Sequence, residues 1–237
     1  MIIGNGLLAS SLRSTYEHDL DVVIFASGVS NSDESRASEF EREKLLLRET
    51  LDYPAKKKLI YFGSCGVSSA EESRSPYMHH KMAMETMVLT KPHGLVLRLP
   101  QVVGRATNPH TLANYLRNHI SEGRPFTVWA HAERNLIDID DVVAITRHLA
   151  EKPISNARVI PVASLKSLMM PDIVALFEAA LGKRAICTYV ERGVPMKIDT
   201  SIIKTICAEL RIDLGGDYTK RIIEKYYAPS SKHTNDH

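Results

Sequence analysis

The first twelve residues, MIIGNGLLASSL (1–12), decide the fold class. Three apolar residues run into Gly4-Asn5-Gly6, and the helical pattern that follows has Ala9 where a third glycine would stand. The order is strand, glycine-rich turn and helix, with a G-x-G-x-x-A spacing that lets backbone amides approach a pyrophosphate at a helix N-terminus. Glycine-rich turns before helices are common, so the pattern agrees equally well with a turn that has only a structural role and with one that binds a pyrophosphate.

Four further apolar runs alternate with helical patterns: DVVIFAS (21–27), KLIYFGS (58–64), GLVLRLP (94–100) and RVIPVA (158–163). This alternation predicts an α/β fold with a mostly parallel sheet. Several of the runs end in small residues, which is where open parallel sheets receive ligands. The predicted helices cover about 7–16, 38–51, 77–90, 109–122, 139–151, 171–181, 199–211 and 217–226.

Composition narrows the class of protein. With 237 residues, of which 44% are hydrophobic, the chain can bury one large core with a small lobe. A net charge of +2 gives no strong basic field, so no nucleic acid partner is expected. Three scattered cysteines predict neither a disulfide framework nor a zinc site. Because the sequence shows neither a signal-peptide pattern nor a long apolar run, we expect a cytoplasmic protein with no membrane partner.

Ser64, Tyr77 and Lys81 form a second motif. Tyr77 and Lys81 lie four residues apart in SPYMHHKMAMETMV (75–88), on one face of a predicted helix. A phenol with an ordinary pKa near 10 is a poor base, but a neighbouring lysine favours its phenolate and makes it a usable general acid/base. Ser64, at a strand end, could hydrogen-bond a reacting oxygen. Taken singly, each feature is common: such a serine is usually a cap, and Tyr/Lys pairs decorate many helices.

Taken together, the glycine-rich turn and the ordered Ser, Tyr and Lys resemble the short-chain dehydrogenase/reductase superfamily, in its extended nucleotide-sugar epimerase/dehydratase branch. The resemblance covers about residues 1–182 and implies a Rossmann-like, doubly wound parallel sheet. It assigns residues 1–104 and 135–165 to a dinucleotide-binding core, and 105–134 and 166–228 to a small substrate-binding lobe. The polar tail, 229–237, is expected to be disordered.

The resemblance also implies site residues. Ser64, Tyr77 and Lys81 would be catalytic, with NAD or NADP as cofactor and a nucleotide-sugar as substrate. Arg134, in ERNLIDIDDVV (133–143), is similar to an arginine that contacts the substrate diphosphate. A homodimer through the helices at 38–51 and 77–90 is implied as well. The implied cofactor-binding residues are Gly4, Asn5, Gly6, Leu7, Leu8, Phe25, Ala26, Ser27, Tyr77, Lys81, Pro100 and Val102, with the backbone at 25–27 lying along the cofactor.

Two further substrate-side candidates depart from the family pattern or lie outside it. In VLRLPQVVG (96–104), Gln101 stands where the family usually has Asn, and Val103 stands where it usually has Tyr. Asn108, in the loop TNPHTL (107–112), is a further candidate for touching the sugar.

The largest departure lies before DVVIFAS. The family inserts two further strands with helices there, and the second strand ends in an acidic residue that holds the adenosine ribose. Here only STYEHDL (14–20) intervenes, so no such carboxylate can be assigned and NAD cannot be told from NADP. A first helix on its usual face would make a left-handed crossover, which is found in about 2% of cases. The alternative is a short stub of second strand in the linker.

Other polar residues are given structural roles. His79 and His80 point off the Tyr77–Lys81 face and are expected at the surface or in an oligomer contact. Cys65 is interpreted as a packing residue. The aspartates at 138, 140 and 141 are expected to favour a helix dipole, and no metal site is predicted.

The predicted function is therefore an NAD(P)-dependent oxidoreductase or epimerase that acts on a nucleotide-sugar by 4-keto reduction or epimerisation. Two alternatives stay open. One is a dinucleotide-binding sensor or scaffold of the same superfamily without turnover. The other is a reductase of a different carbonyl substrate, for which a diphosphate-binding Arg134 would have no use.

Overall fold

The computed structural model describes residues 1–29, 31–52, 57–68, 75–106, 108–152 and 157–229. Its central sheet is parallel and has the spatial order β1-β2-β3-β4-β9. Each strand forms within one of the five apolar runs, which confirms the predicted α/β class. The strands are β1 (Ile2–Ile3), β2 (Val22–Phe25), β3 (Lys58–Ser64), β4 (Gly94–Leu99) and β9 (Val159–Pro161).

The helices begin and end within three residues of their predicted bounds. Side-chain oxygens of Ser75 and Thr111 accept backbone N–H groups at the starts of α3 and α4, and Gly123 and Gly182 end α4 and α6 in the left-handed conformation. The helices are α1 (Leu7–Tyr16), α2 (Ala37–Leu51), α3 (Pro76–Leu89), α4 (Leu112–Glu122), α5 (Ile139–Glu151), α6 (Met170–Leu181), α7 (Ser201–Leu210) and α8 (Tyr218–Tyr227).

The helices divide between the two faces of the sheet. α1 packs with α5, and Leu12 of α1 shares a hydrophobic core with Ile24 of β2. α2 packs with α3, and Leu47 of α2 shares a second core with Val23 and Phe25 of β2. Because successive strand residues point to opposite faces, α1 and α2 lie on opposite sides of β2.

This arrangement decides between the two topologies left open by the sequence. The connections β1-α1-β2, β2-α2-β3 and β3-α3-β4 all run in the same direction along the sheet, yet only α1 is on the face shared with α5. The first connection therefore has the opposite hand to the other two. Since right-handed crossovers make up about 98% of cases, we assign the left-handed crossover to β1-α1-β2.

The linker between α1 and β2 is a turn and carries no stub of a second strand. Its Asp19 Oδ1 accepts the N–H groups of Asp21 and Val22, each at 2.8 Å. β1 consequently lies at one end of the strand order, and the sheet is shortened on the side predicted from the sequence.

Three small sheets, which the sequence analysis did not identify, complete the chain. β5 (Gln101–Val103) pairs with β8 (Leu136–Asp138), β6 (Phe126–Trp129) with β11 (Cys187–Val190), and β7 (Glu133–Arg134) with β10 (Leu168–Met169). They are two to four residues long, too short to show an alternating pattern. None of the described helices is long and apolar enough to cross a membrane.

The last helix, α8, is tied to the start of α5 by polar contacts. Buried Asp138 caps α5 by accepting the N–H of Asp140, and it also accepts the Tyr226 hydroxyl and the Lys225 ammonium, each at 2.6 Å. Asp141 accepts the hydroxyl of Tyr218 at 2.5 Å. Within the described ranges, no group of three or more His, Cys, Asp or Glu side chains is arranged to hold a metal. The proposed two-lobe boundaries stay a prediction, and residues 230–237 of the predicted tail lie outside the described part.

Candidate functional site

The predicted site lies along the carboxyl edge of the central sheet. The strand register pairs Ile3 with Phe25, Phe25 with Tyr61, and Ser64 with Leu99. Gly4, Ala26 and Pro100 each follow the last residue of their strand, and Ser64 is the last residue of β3. Parallel strands bring these ends to one edge, which is the ligand-binding edge of open α/β sheets.

The glycine-rich turn forms a tight contact on one side and an open space on the other. Gly4 has φ +124°, and a Cβ there would lie 2.4 Å from the Ala26 carbonyl oxygen. Gly6 is the N-cap of α1 without a side-chain cap, and a Cβ there would meet nothing within 4 Å. The backbone amides at the start of α1 can thus be approached closely by an anion.

Side chains around the turn pack against protein, so contact with a cofactor would come from the backbone. Leu7 lies against Gly104, and Leu8 packs on the main core. Phe25 is buried against Tyr61, with ring centroids 6.0 Å apart. Arg13 donates to Gly4 O at 2.8 Å and to the side chain of Asn5 at 3.2 Å, which braces the turn.

Tyr77 and Lys81 lie together at the start of α3, as their spacing predicted. The Lys81 ammonium is 5.6 Å from the centre of the Tyr77 ring and 5.4 Å from that of Tyr61 on β3. Ser64, three residues after Tyr61, accepts the N–H of Gly66 at 3.1 Å, a contact that does not use its own hydroxyl hydrogen. α3 packs directly on β3 and on the 3₁₀ turn, Cys65–Ser68, that follows it.

Sequence reasoning missed Glu43. This residue of α2 has a fully buried side chain whose Oε1 lies 3.1 Å from the Lys81 ammonium and accepts the Tyr61 hydroxyl at 3.3 Å. Its Oε2 accepts the N–H of Val29 at 2.8 Å and lies 3.0 Å from His80 Nε2. A signal was present, because Glu43 stands four residues before Leu47 on the apolar face of α2.

One expectation about a neighbour was wrong. His80 is buried rather than at the surface, stacked on Phe40 with ring centroids 4.7 Å apart. Its side chain points into the protein, where the Glu43 carboxylate is its polar partner. His79 is exposed, as expected.

Burial and charge determine the ionisation of this group. Burial raises the pKa of Tyr77; Lys81 works against that rise, and Glu43 adds to it. Burial alone would lower the pKa of Lys81, but Tyr61, Tyr77 and Glu43 outweigh it and raise that pKa. Burial would likewise raise the pKa of Glu43, yet contacts from His80, Lys81 and Val29 lower it to about 2. Without a ligand, the structure therefore holds a Glu43⁻/Lys81⁺ pair beside a neutral Tyr77.

A second ion pair, between buried Glu85 and partly exposed Arg98, fixes α3 to the sheet next to Ser64. Glu85 of α3 accepts two bonds from Arg98 Nε, each at 3.1 Å, and one from Nη2 at 2.7 Å. Burial raises the pKa of Cys65 to about 12, which agrees with a packing role for this thiol.

The predicted substrate-side residues are placed on three elements. Gln101 is the first residue of β5, directly after Pro100, and its N–H donates to Asn135 O at 3.0 Å; Val102, predicted on the cofactor side, follows it on the same strand. Arg134 is on β7 and donates to Glu133 O at 2.8 Å. Asn108 accepts the N–H of His110 at 3.0 Å, which shapes the loop before α4. Their contacts with a substrate stay predictions.

Two cavities lie elsewhere, where α8 meets its neighbours. One of about 200 Å³ lies between Leu168, Leu176 and Leu214. The other, of about 380 Å³, is bordered by Asp138, Arg211 and Arg221. Neither is lined by Ser64, Tyr77 or Lys81.

Comparison with known proteins agrees with this geometry. The model of a family described as NAD dependent epimerase/dehydratase matches residues 7–163. No curated protein matches the sequence.

Several solved structures share the fold. The NAD dependent NDP-hexosamine 5,6-dehydratase TunA, of tunicamycin biosynthesis, is 18% identical with a TM-score of 0.69, over 88% of this chain and 77% of that one. UDP-glucuronic acid 4-epimerase from Bacillus cereus, in complex with UDP-glucuronic acid and NAD, is 20% identical with a TM-score of 0.69, over 94% and 77%. A dTDP-glucose 4,6-dehydratase from Bacillus anthracis, in complex with NAD, is 16% identical with a TM-score of 0.66, over 94% and 76%. At these identities the likeness confirms the Rossmann-like fold.

Proposed function

We propose that this chain, which belongs to the NAD dependent epimerase/dehydratase family, is an NAD(P)-dependent enzyme that reduces or epimerises a nucleotide-sugar. The observation that carries the proposal is the Lys81 ammonium held 5.6 Å from the centre of the Tyr77 ring, beside the strand that ends at Ser64. These three residue types are the ones that the reaction needs at a carbonyl or alcohol oxygen.

The residues present fit the pyrophosphate and the nicotinamide ribose of a dinucleotide, but not its adenosine. The open Gly6 and the uncapped start of α1 suit a pyrophosphate, and Tyr77 with Lys81 suits the nicotinamide ribose. At the adenosine part, β1 lies at one end of the sheet order, and the strand whose carboxylate would hold the adenosine ribose in the family is absent from the described residues. When bound, the cofactor supplies hydride exchange at a sugar carbon.

The chain's own residues would handle the proton. Tyr77 Oη, neutral in the ligand-free site, can donate a proton to a forming alkoxide and accept it in the reverse direction. The nearby Lys81 charge favours the phenolate that results. Ser64 Oγ accepts a hydrogen bond from the Gly66 N–H, so its own hydroxyl hydrogen can be donated to the same substrate oxygen.

The nucleotide-sugar is proposed from the neighbours' chemistry and from the second lobe. The B. cereus epimerase was solved with UDP-glucuronic acid. In this chain Arg134, on β7, would bind the diphosphate, and Gln101 and Asn108 would contact the sugar. A reductase of a small uncharged carbonyl compound would not need Arg134, so its replacement by methionine separates these two substrate classes.

A homodimer is proposed through α2 and α3. Each of these helices exposes a large apolar side chain, Leu45 at 52% and Met82 at 45%. Sedimentation at micromolar concentration should show a species of twice 26.5 kDa, and a monomer alone would contradict the proposal.

A second candidate function is nicotinamide dinucleotide binding without turnover. It is favoured by the shortened adenosine side of the sheet.

Calorimetry and turnover together test both functions. Calorimetric titration should show binding of NAD and NADP with less than about tenfold preference, because no assigned residue reads the 2′ position. Turnover would be assayed with UDP-glucuronic acid, UDP-N-acetylglucosamine and dTDP-glucose and their 4-keto derivatives, for wild type and Tyr77→Phe. The matched control is Tyr115→Phe, which removes an exposed phenol on α4. Loss of about 10²- to 10⁴-fold in Tyr77→Phe alone supports the enzyme. Dinucleotide binding without turnover on the whole panel supports the sensor.

A further inference from the structure

Glu43 is a buried carboxylate with four polar contacts beneath the proposed catalytic pair. It receives Lys81 and Tyr61 on one oxygen, at 3.1 and 3.3 Å, and Val29 N–H and His80 on the other, at 2.8 and 3.0 Å. All four come from outside α2, so this one side chain joins α2 to β3, to α3 and to the segment after β2.

Lys81 needs a partner of this kind. Its side chain is only 4% exposed, and the backbone of Gly28 lies so close that a Cβ there would be 2.7 Å from the ammonium. A buried ammonium without a counter-charge neutralises rather than stay charged. Among the described residues, Glu43 is the carboxylate within ion-pair distance of Lys81.

The other charged and titratable groups around α3 do not replace Glu43. Tyr61 on β3 and Tyr77 on α3 also act to raise the pKa of Lys81, but burial raises their own pKa values, so both phenols are neutral at ordinary pH and neither supplies a negative charge. His80 contacts the opposite oxygen of Glu43 and carries no negative charge. Glu85, on α3, is held by Arg98 of β4 through three hydrogen bonds. The negative charge that faces Lys81 therefore comes from α2.

We propose that Glu43 is a positioning residue that keeps Lys81 protonated and aimed at Tyr77. Its catalytic consequence rests on the proposed function, whereas its effect on the ionisation of Lys81 does not. Replacing Glu43 with glutamine keeps the shape and removes the charge. We expect Lys81 to become neutral at a much lower pH in that variant, and Tyr77 to lose the cation that favours its phenolate.

The direct test is an NMR titration of cofactor-free protein labelled with ¹³C at the lysine ε-carbon, with Lys81 assigned by Lys81→Arg. In wild type the Lys81 signal should stay that of an ammonium from about pH 6 to about pH 10, and in Glu43→Gln its titration should fall inside that range. Glu49→Gln, the same change at an exposed position of α2, should behave as wild type. Glu43→Asp, which keeps the charge, should restore the ammonium. An identical Lys81 titration in wild type and Glu43→Gln overturns the proposal.

Whether Glu43→Gln folds provides a second test. If Glu43→Gln does not fold, the ion-pair account requires that Glu43→Gln/Lys81→Met folds again, because the uncompensated charge is then gone. A double variant that stays unfolded contradicts the account.

Activity gives the third readout. In Glu43→Gln, kcat should fall by up to about 100-fold, and the loss should grow as pH rises and Lys81 deprotonates. A merely structural role would lower activity equally across the pH range, and this result would overturn the positioning role. If wild type itself shows no turnover, the proposed enzyme function fails, while the lysine titration still decides the ionisation claim.

Discussion

Replacing Gly63 with alanine should break the ion pair that fixes α3 to the sheet. Gly63 precedes Ser64 on β3, and a Cβ there would lie 2.3 Å from Glu85 Oε1 and 3.2 Å from Glu85 Cδ. Ordinary contacts are about 1 Å longer than the first of these distances, so the carboxylate must move. The three bonds from Arg98, at 2.7 to 3.1 Å, cannot all survive that displacement.

The expected cost is about 1 to 3 kcal/mol of unfolding free energy, the range for leaving a buried polar group without its hydrogen bonds, because the Glu85 side chain is only 5% exposed whereas its partner Arg98 is 24% exposed. Urea denaturation of wild type and Gly63→Ala measures this cost directly. Activity should fall with it, since α3 carries Tyr77 and Lys81.

A double-mutant cycle tests the physical reason. In a Glu85→Ala background the carboxylate is absent, and the nearest atom left to the new methyl group is Val96 Cγ1 at 3.3 Å. Gly63→Ala should then cost less than about 1 kcal/mol. An equal cost in both backgrounds would refute the clash with Glu85 as the cause.

Three further changes follow from individual contacts. Gly4→Ala should abolish dinucleotide binding in calorimetry and lower the melting temperature, because its Cβ would lie 2.4 Å from Ala26 O at a φ of +124°; unchanged binding would contradict the tight turn. The pKa of Glu43 falls from 4.5 to about 2 on folding, so its carboxylate contributes about 3 kcal/mol to the unfolding free energy above pH 4.5, and this contribution is lost as pH falls through about 2. The unfolding free energy from urea denaturation should therefore depend less on pH in Glu43→Gln than in wild type, and an equal pH dependence in both proteins would argue against this contribution. Lys225→Met removes the cation at buried Asp138 and should speed hydrogen exchange of the α8 amides, whereas unchanged exchange would show that the contact does not hold this helix.

The helices and the central sheet could be predicted because their signals are local. Each apolar run carries its own strand, and the start of α3 is written in the order Ser75-Pro76, a capping residue followed by proline. The glycine turn likewise fixed the position of the first strand and helix. Short strands such as β7 and β10 depend on pairing between residues about 35 positions apart in sequence, which leaves little local pattern.

The buried contacts among Glu43, His80 and Lys81 could not be predicted from the sequence in the same way. Lys81 was found through its spacing from Tyr77, but the inward turn of His80 depends on a partner 37 residues away in sequence. Glu43 stands on the apolar face of α2 with Leu47, but that position does not identify its partners. The packing of α2 against α3 brings the carboxylate to the ammonium of Lys81.

The crossover of the first unit shows a limit of another kind. The sequence revealed the missing strands and left two topologies, a stub of strand or a left-handed connection. The choice between these topologies depends on which face of the sheet α1 covers. The sequence does not decide this, because both faces of β2 are apolar, with Val23 and Phe25 on one side and Ile24 on the other.

The central claim is that Tyr77 moves a proton while a bound nicotinamide exchanges hydride with a nucleotide-sugar. The most direct test is a single-turnover experiment, in which protein saturated with NAD is mixed with UDP-glucuronic acid, or with another panel nucleotide-sugar that proves to be turned over, and the near-ultraviolet absorbance of reduced nicotinamide is followed. The account predicts a transient rise in wild type and a rise slowed by about 10²- to 10⁴-fold in Tyr77→Phe, with NAD affinity unchanged. An equal rise in both proteins would contradict the assignment of Tyr77, and no rise with any nucleotide-sugar despite saturating NAD would contradict the enzyme function itself.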